Sequence, residues 1–489
     1  MKPSHRDQLL HTLAAFTCAL PQTLDAQATA AALAVVQDSL AVALGALRHP
    51  AAQAGRRYAR HAQVKRGATL WGSGECVPAE LAALVNAVPL RGYDYNDLYI
   101  GRSGGHPSDM LPGLMALAEA RGRSGSALLT ALAVGYEVAL ELFDSFDLHA
   151  MGWDYPVATG LGAVCAAARL IGLDAAQTRE ALAIMATTHF VSDEVESGEL
   201  NARGDLTMWK RFNAGNAVRQ AIAACQLAEA GVEGAVRPFE GRSGFLSKLA
   251  VAPEDVQSLL ARLQTARPLA RPLTRIGQVT FKRWPVGSRA QSAIQSALQL
   301  HQQLKTEGID PWSLDAVQID SDQGVYQHLV GSRADPYHPH SRETADHSLP
   351  YIVTAALLDG QIKVDAFDPA RVCEPRRQAF LAGRVKAQPS AELSQGAAGG
   401  FLSRVSVRTS DGREIVGEAK APPGHRLQPF AAADFDHKLR ENVEPLFGAA
   451  RADEIIRAVR ALPQAATLAT LAALTRLADA AAIDGLPAA

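Results

Sequence analysis

The sequence predicts a mainly α protein, in which a large all-α helical domain carries a smaller inserted α+β domain. Three observations predict it. Residues 8–265 are rich in Ala and Leu with helical periodicity, the rhythm breaks at the two prolines of Ala266–Ile276, and the Ala/Leu texture returns after Pro429. The boundaries are then 1–268 for the helical domain, 269–429 for the insertion, and 430–489 for C-terminal helices that pack back on the first domain. A chain of 489 residues has room for two or three domains at roughly 150 residues each.

The first domain contains helices at Ala26–Leu47, Ser124–Phe146, Val157–Ile171, Ala175–Ala186 and Asn213–Ala230. Alanine has the best helix propensity and allows close helix contacts. Joints such as Gly172-Leu173-Asp174 separate these segments. In the insertion, Gln278–Trp284 and Leu314–Ile319 alternate like strands, and Arg404–Glu418 reads as a hairpin turning at Ser-Asp-Gly. Ser288–Lys305 and Ser348–Leu358 are helical, and the tail adds Ala432–Leu446, Ala449–Leu462 and Ala465–Ala482.

Composition excludes several classes. The net charge is −2 and there is no Lys/Arg block, so neither nucleic acid nor an anionic membrane surface is expected as a partner. Polar residues interrupt the N-terminal segment, which is a poor signal peptide, and no apolar stretch reaches about 20 residues without a charge or a glycine. A cytoplasmic protein is the expectation. Five scattered cysteines with no CxxC argue against a disulfide framework, a zinc site or an iron–sulfur cluster. No HExxH, P-loop or dinucleotide fingerprint is present.

The densest polar cluster is Tyr93–Asp109, a Gly-rich loop holding Asp94, Asp97, Arg102, His106 and Asp109. Ionisable groups on a loop between rigid helices suit a binding site, although a capped surface turn would look similar. Within it, Gly101–Gly105 fits the G-x-S-x-G pattern around Ser103, but the lead-in is polar and His-Pro follows, so no nucleophile elbow is expected. Lys210 and Lys282 sit among bulky apolar residues in different domains, where they could grip an anion across a cleft or simply snorkel. Asp346-His347-Ser348 precedes a helix that it can cap, with Tyr351 one turn on. His338 and His340 lack further ligands and read as structural.

Seven stretches, in order, give the chain a resemblance to the MmgE/PrpD family, whose namesakes are 2-methylcitrate dehydratases. They are Ala83–Asp97, His106–Asp109, Leu128–Glu137, Ala163–Leu173, Leu206–Ala217, Phe281–Pro285 and Asp346–Tyr351. The resemblance implies a homodimer, a helical domain with an α+β lid, and chemistry on small carboxylate substrates with no metal or organic cofactor. It places Asp94, His106, Lys210, Lys282 and Tyr351 in the catalytic site, with Asp97, Asp154, Gln291 and His347 binding substrate. The lysines would pair with substrate carboxylates and stabilise an enediolate-like transition state, while Asp94 would hold the His106 tautomer. His106 and Tyr351 are then the acid and base, in either order.

Some positions depart from the family pattern. Leu98 replaces a common Thr, Asp154 stands where many relatives have His, and Ser192–Glu199 carries four acids where the dehydratase branch is basic. Lining the cleft, those acids would repel a third carboxylate. Gln291 matches the dehydratase branch. The expectation is a hydro-lyase acting on 2-methylcitrate or a related hydroxy-polycarboxylate, with an epimerase or decarboxylase on the same scaffold as the alternative.

Overall fold

The structure is a computed structural model that describes residues 6–195, 201, 207–265, 272–396, 401–419 and 421–484. Helix accounts for 61% of the chain and strand for 8%, so the fold is mainly α with a small α+β part.

Two hydrophobic cores divide the molecule. The larger joins Leu9–Val279 to Leu439–Ile483, and its central helices are Gly125–Ser145 and Pro156–Ile171. Small residues bring these two together: a Cβ on Gly162 would lie 2.7 Å from the Gly135 carbonyl. Gly125–Ser145 and Ala26–Gly45 are long and apolar enough to cross a membrane, which the sequence reading did not anticipate, yet both are mostly buried within the protein. The helix Ala432–Phe447 packs on Ala26–Gly45 and returns the tail to this core. The helix expected at Ala465–Ala482 is reduced to Ala469–Leu474 and Ala481–Asp484. Between them the backbone leaves the helix to bond Gly72 from both sides, through the Thr475 carbonyl and the Leu477 amide.

The second core runs from Trp284 to Ile415. Its sheet has the order Val385–Pro389, Ala316–Ser321, Ser403–Arg408, Glu414–Glu418, with the first pair parallel and the others antiparallel. Along Ala316–Ser321, Val317, Ile319 and Ser321 alternate inward. The helix Gln291–Thr306 covers the sheet closely, and a Cβ on Gly417 would meet the Ser296 carbonyl at 2.5 Å. The strand expected at Gln278–Trp284 does not form. Here the chain crosses between cores, and Thr280 makes a single bridge to Leu98. Leu273, Ile276 and Val279 still belong to the first core.

Candidate active site

A cavity of about 490 Å³ opens between the two lobes. The helical lobe contributes Arg91, Asp94, His106, Asp154 and Lys210, the smaller lobe contributes Arg289, His328, Asp346 and His347, and Lys282 stands on the crossover.

Asp94 sits in left-handed backbone (φ +48°), a conformation aspartate tolerates better than most residues. Lys282 Nζ donates to its carbonyl at 2.6 Å and to Oδ1 at 3.0 Å, and Arg91 Nη1 lies 3.3 Å from the same Oδ1. Burial opposes ionisation of Asp94, but Lys282, Arg91, His106 and Lys210 override it and hold the carboxyl well below the usual range. Burial also draws the Lys282 pKa down, against the pull of Asp94. The backbone around this pair is clamped by Lys438, whose buried ammonium donates to the Lys282 and Tyr95 carbonyls and to Asp38.

His106 follows Gly105, where any side chain would strike Phe143 and Tyr155. Its Nδ1 contacts the Asp97 carbonyl at 2.5 Å, and a carbonyl can only accept. Nδ1 therefore carries the proton and Nε2 is bare, 3.8 Å from Asp94 Oδ1. This corrects the expectation that Asp94 sets the tautomer: Asp94 is engaged by Lys282, and the backbone of Asp97 does that work. Burial, Arg91 and Lys282 push the His106 pKa well below its ordinary value, so the ring is neutral.

Three predicted residues lie outside the cavity wall. Tyr351 is fully buried in the second core and its hydroxyl donates to the Ala366 carbonyl, because its helix turns that face toward Phe367. The Gln291 amide is consumed by the backbone of Arg283, Trp284 and Val286, locking the turn before the helix. The Asp97 carboxylate accepts from the Tyr136 hydroxyl at 2.7 Å and the Ser108 amide at 3.2 Å, and burial raises its pKa to about 7. These three position the site without facing the space a substrate would fill.

The rest of the constellation converges. Asp154 lines the cavity with its carboxylate held by Asn213 Nδ2 and the Tyr155 amide. His347 Nδ1 contacts the Asp346 carboxylate. His328, 6.4 Å from His347 between ring centres, is kept neutral by desolvation and by Arg289 and other cations. Leu98 and Ser103 also line the cavity, but the Ser103 hydroxyl has no hydrogen-bond partner among the described residues, so no imidazole activates it. Of the acidic stretch, Asp193 reaches this cavity and Glu194 a neighbouring one, while residues 196–199 lie outside the described residues. His149, Asp154 and Asp193 bring one ligand atom each within 4.8 Å of one another, a donor set for a divalent cation.

Sequence reasoning missed Arg91, Arg289, His328 and Asp346 as cavity residues. Arg91 stands two residues before the polar loop and Asp346 immediately precedes His347, which were usable signals; nothing in the sequence marks His328.

Comparison with known proteins places this geometry. The model of the MmgE/PrpD N-terminal domain matches residues 11–256, and that of the MmgE/PrpD C-terminal domain matches 284–464. The chain belongs to the MmgE/PrpD family. Lys282 lies in the stretch 257–283 between the two matched regions. Among MmgE/PrpD proteins, the chain is similar to cis-aconitate decarboxylase of Homo sapiens, 27% identical over 408 residues (81% of this chain, 79% of that protein). It is also similar to mitochondrial 2-methylcitrate dehydratase of Yarrowia lipolytica, 23% identical over 304 residues (60% and 55%). The 2-methylcitrate dehydratase of Escherichia coli is 25% identical over 302 residues (58% and 57%). The MmgE/PrpD relatives named here are thus lyases of two kinds.

Proposed function

We propose that the protein is a cofactor-independent hydro-lyase that dehydrates 2-methylcitrate or a related small hydroxy-polycarboxylate by acid–base elimination. One observation carries the reading: a neutral His106 presents a bare Nε2 beside the Lys282–Asp94 pair, at a cavity edged by cations from both lobes. His106 Nε2 takes the proton from the carbon next to a carboxylate, and the charge this releases spreads onto the carboxylate oxygens. Lys282 and Lys210 stabilise that enediolate-like charge where it develops. The departing hydroxyl takes a proton from His347, whose ring is oriented by the contact of its Nδ1 with the Asp346 carboxylate. His347 replaces Tyr351 in the acid role, since the Tyr351 hydroxyl is turned into the core.

The alternative is decarboxylation of the same substrate class, favoured by the longer alignment with the decarboxylase relative. There the same cations would hold the carbanion left by CO2, and a protonated group would return a proton to carbon. One experiment separates the two. Protein mixed with 2-methylcitrate or citrate gains ultraviolet absorbance if elimination creates a conjugated C=C. Protein mixed with cis-aconitate releases CO2 if decarboxylation is the reaction. Silence with every hydroxy-acid would overturn the hydro-lyase reading. Homodimerisation belongs to the same proposal, and a stable monomer in sedimentation would remove it.

A further inference from the structure

Arg289 stands in the short turn Ser288–Ala290 that leads into the helix Gln291–Thr306. The turn lies against the catalytic cluster, since a Cβ on Gly287 would be 3.4 Å from Asp94 Oδ2. The guanidinium lies over the Phe401 ring, 4.6 Å from its centre, and lines the cavity beside His328. Among the described residues it has no hydrogen bond or ion pair. The nearby acid, Asp322, attracts it through space but makes no bond to it: Oδ1 accepts from the Val325 amide and Oδ2 from the Leu402 amide, each at 2.9 Å.

Three other cavity cations are engaged within the protein. Lys282 is bound to Asp94, Arg91 donates to Asn96 and Asp94, and Arg102 pairs with Asp255. Several arginines elsewhere in the smaller lobe are engaged, for example Arg377 with Asp359 and Arg342 with Asp368. A planar, half-buried fork of five donors, stacked on an aromatic face and facing a cavity, matches a carboxylate in bidentate geometry.

We propose that Arg289 binds the substrate carboxylate farthest from the carbon that His106 deprotonates, and thereby selects diacids and triacids over monoacids. The inference rests on the carboxylate reading of the cavity given above. A single carboxylate gripped near Lys282 would leave the Arg289 donors without a partner; a second carboxylate removes that penalty, so discrimination against monoacids is built into the site.

The test is calorimetric binding to the full chain, with tricarballylate as the triacid and butyrate as the monoacid. Neither has a hydroxyl to eliminate, so the result is independent of turnover. In R289M the affinity for tricarballylate is expected to fall about 30-fold, as for loss of a bidentate charged contact, with butyrate unchanged. R289K keeps the charge but not the fork and should fall in between; it is the variant to read if R289M shifts the melting temperature. Tricarballylate binding unchanged in both variants would overturn the role of Arg289 while leaving the proposed function intact. Failure of the wild-type protein to bind tricarballylate would overturn the carboxylate reading of the cavity and this inference with it.

Discussion

Replacing Lys282 by Met separates the two jobs assigned to this side chain. Lys282 is 1% exposed and donates to both the carbonyl and the carboxylate of Asp94. Breaking a buried pair by removing one partner costs about 3–5 kcal/mol when the remaining charge is stranded. Asp94 would not be wholly stranded, because the Arg91 guanidinium stays at 3.3 Å. A local cost of about 2 kcal/mol is therefore expected, below the full penalty. Hydrogen exchange of the peptide spanning Tyr93–Asp97 should accelerate by roughly 30-fold at that cost, with the tail of the chain little affected. Turnover should fall further, on the order of 10²–10³, because a preorganised cation facing developing charge is lost. The double variant D94N/K282M removes the stranded carboxylate and should recover much of the exchange protection without recovering turnover. K282M turnover within threefold of wild type would refute the transition-state role. Unchanged exchange would refute the buried pair.

Four further outcomes follow from the geometry. The acid limb of kcat/KM reports the free-enzyme base, so it should lie well below pH 6.5 if His106 is that base; a limb at pH 6.5 or above would exclude it. Y351F should keep turnover within a few-fold of wild type and lose about 1 kcal/mol of stability with the bond to Ala366, measured by melting and steady-state kinetics. G105A should abolish most turnover while the far-ultraviolet circular dichroism is unchanged, because a methyl group there displaces Phe143 or Tyr155 beside His106. His49 is buried, and desolvation followed by Arg211 and Arg342 lowers its pKa to about 3. The unfolded chain then binds the proton that the folded chain refuses, so stability falls as pH drops from about 6.5 toward 3, by up to about 1.4 kcal/mol per pH unit. H49N, which keeps a capping side chain before Pro50, should flatten that slope in pH-dependent melting; an unaltered slope would refute the assignment.

The sequence by itself determined most of the helices, because Ala-rich periodicity and capping residues such as Ser124, Asp174 and Ser348 are local signals. It also marked the loop Tyr93–Asp109 as a candidate, although a capped surface turn would look similar in sequence; the fold lays Asp94 and His106 of that loop on the cavity wall. Leu314–Ile319 and the Arg404–Glu418 hairpin were legible for the same reason: alternation and turn residues are near neighbours in the chain. The parallel strand Val385–Pro389 gave no such signal, because its partner lies far back at Ala316–Ser321. Gln278–Trp284 alternates like a strand, yet only the tertiary structure places it on a crossover with no sheet edge to join.

The site divides along the same line. Asp94, His106, Lys210 and Lys282 were named from the sequence, and the fold brings them to one cavity. What each does was decided by the partners that folding places beside it, some near in sequence and some far. A backbone carbonyl rather than a carboxylate fixes the His106 tautomer. Lys438, on a helix far down the chain, holds the Lys282 backbone in place. Tyr351 and His347 stand on one short stretch of chain, and the packing of a single helix turns the first into the core and leaves the second facing the cavity. Arg289 carries no motif, and its role emerges only from a fold that leaves its guanidinium stacked on Phe401 without a hydrogen bond or ion pair among the described residues. Local pattern specifies which residue types are available and where the chain can turn; the direction each side chain faces, and which charges meet, is set by packing between segments hundreds of residues apart.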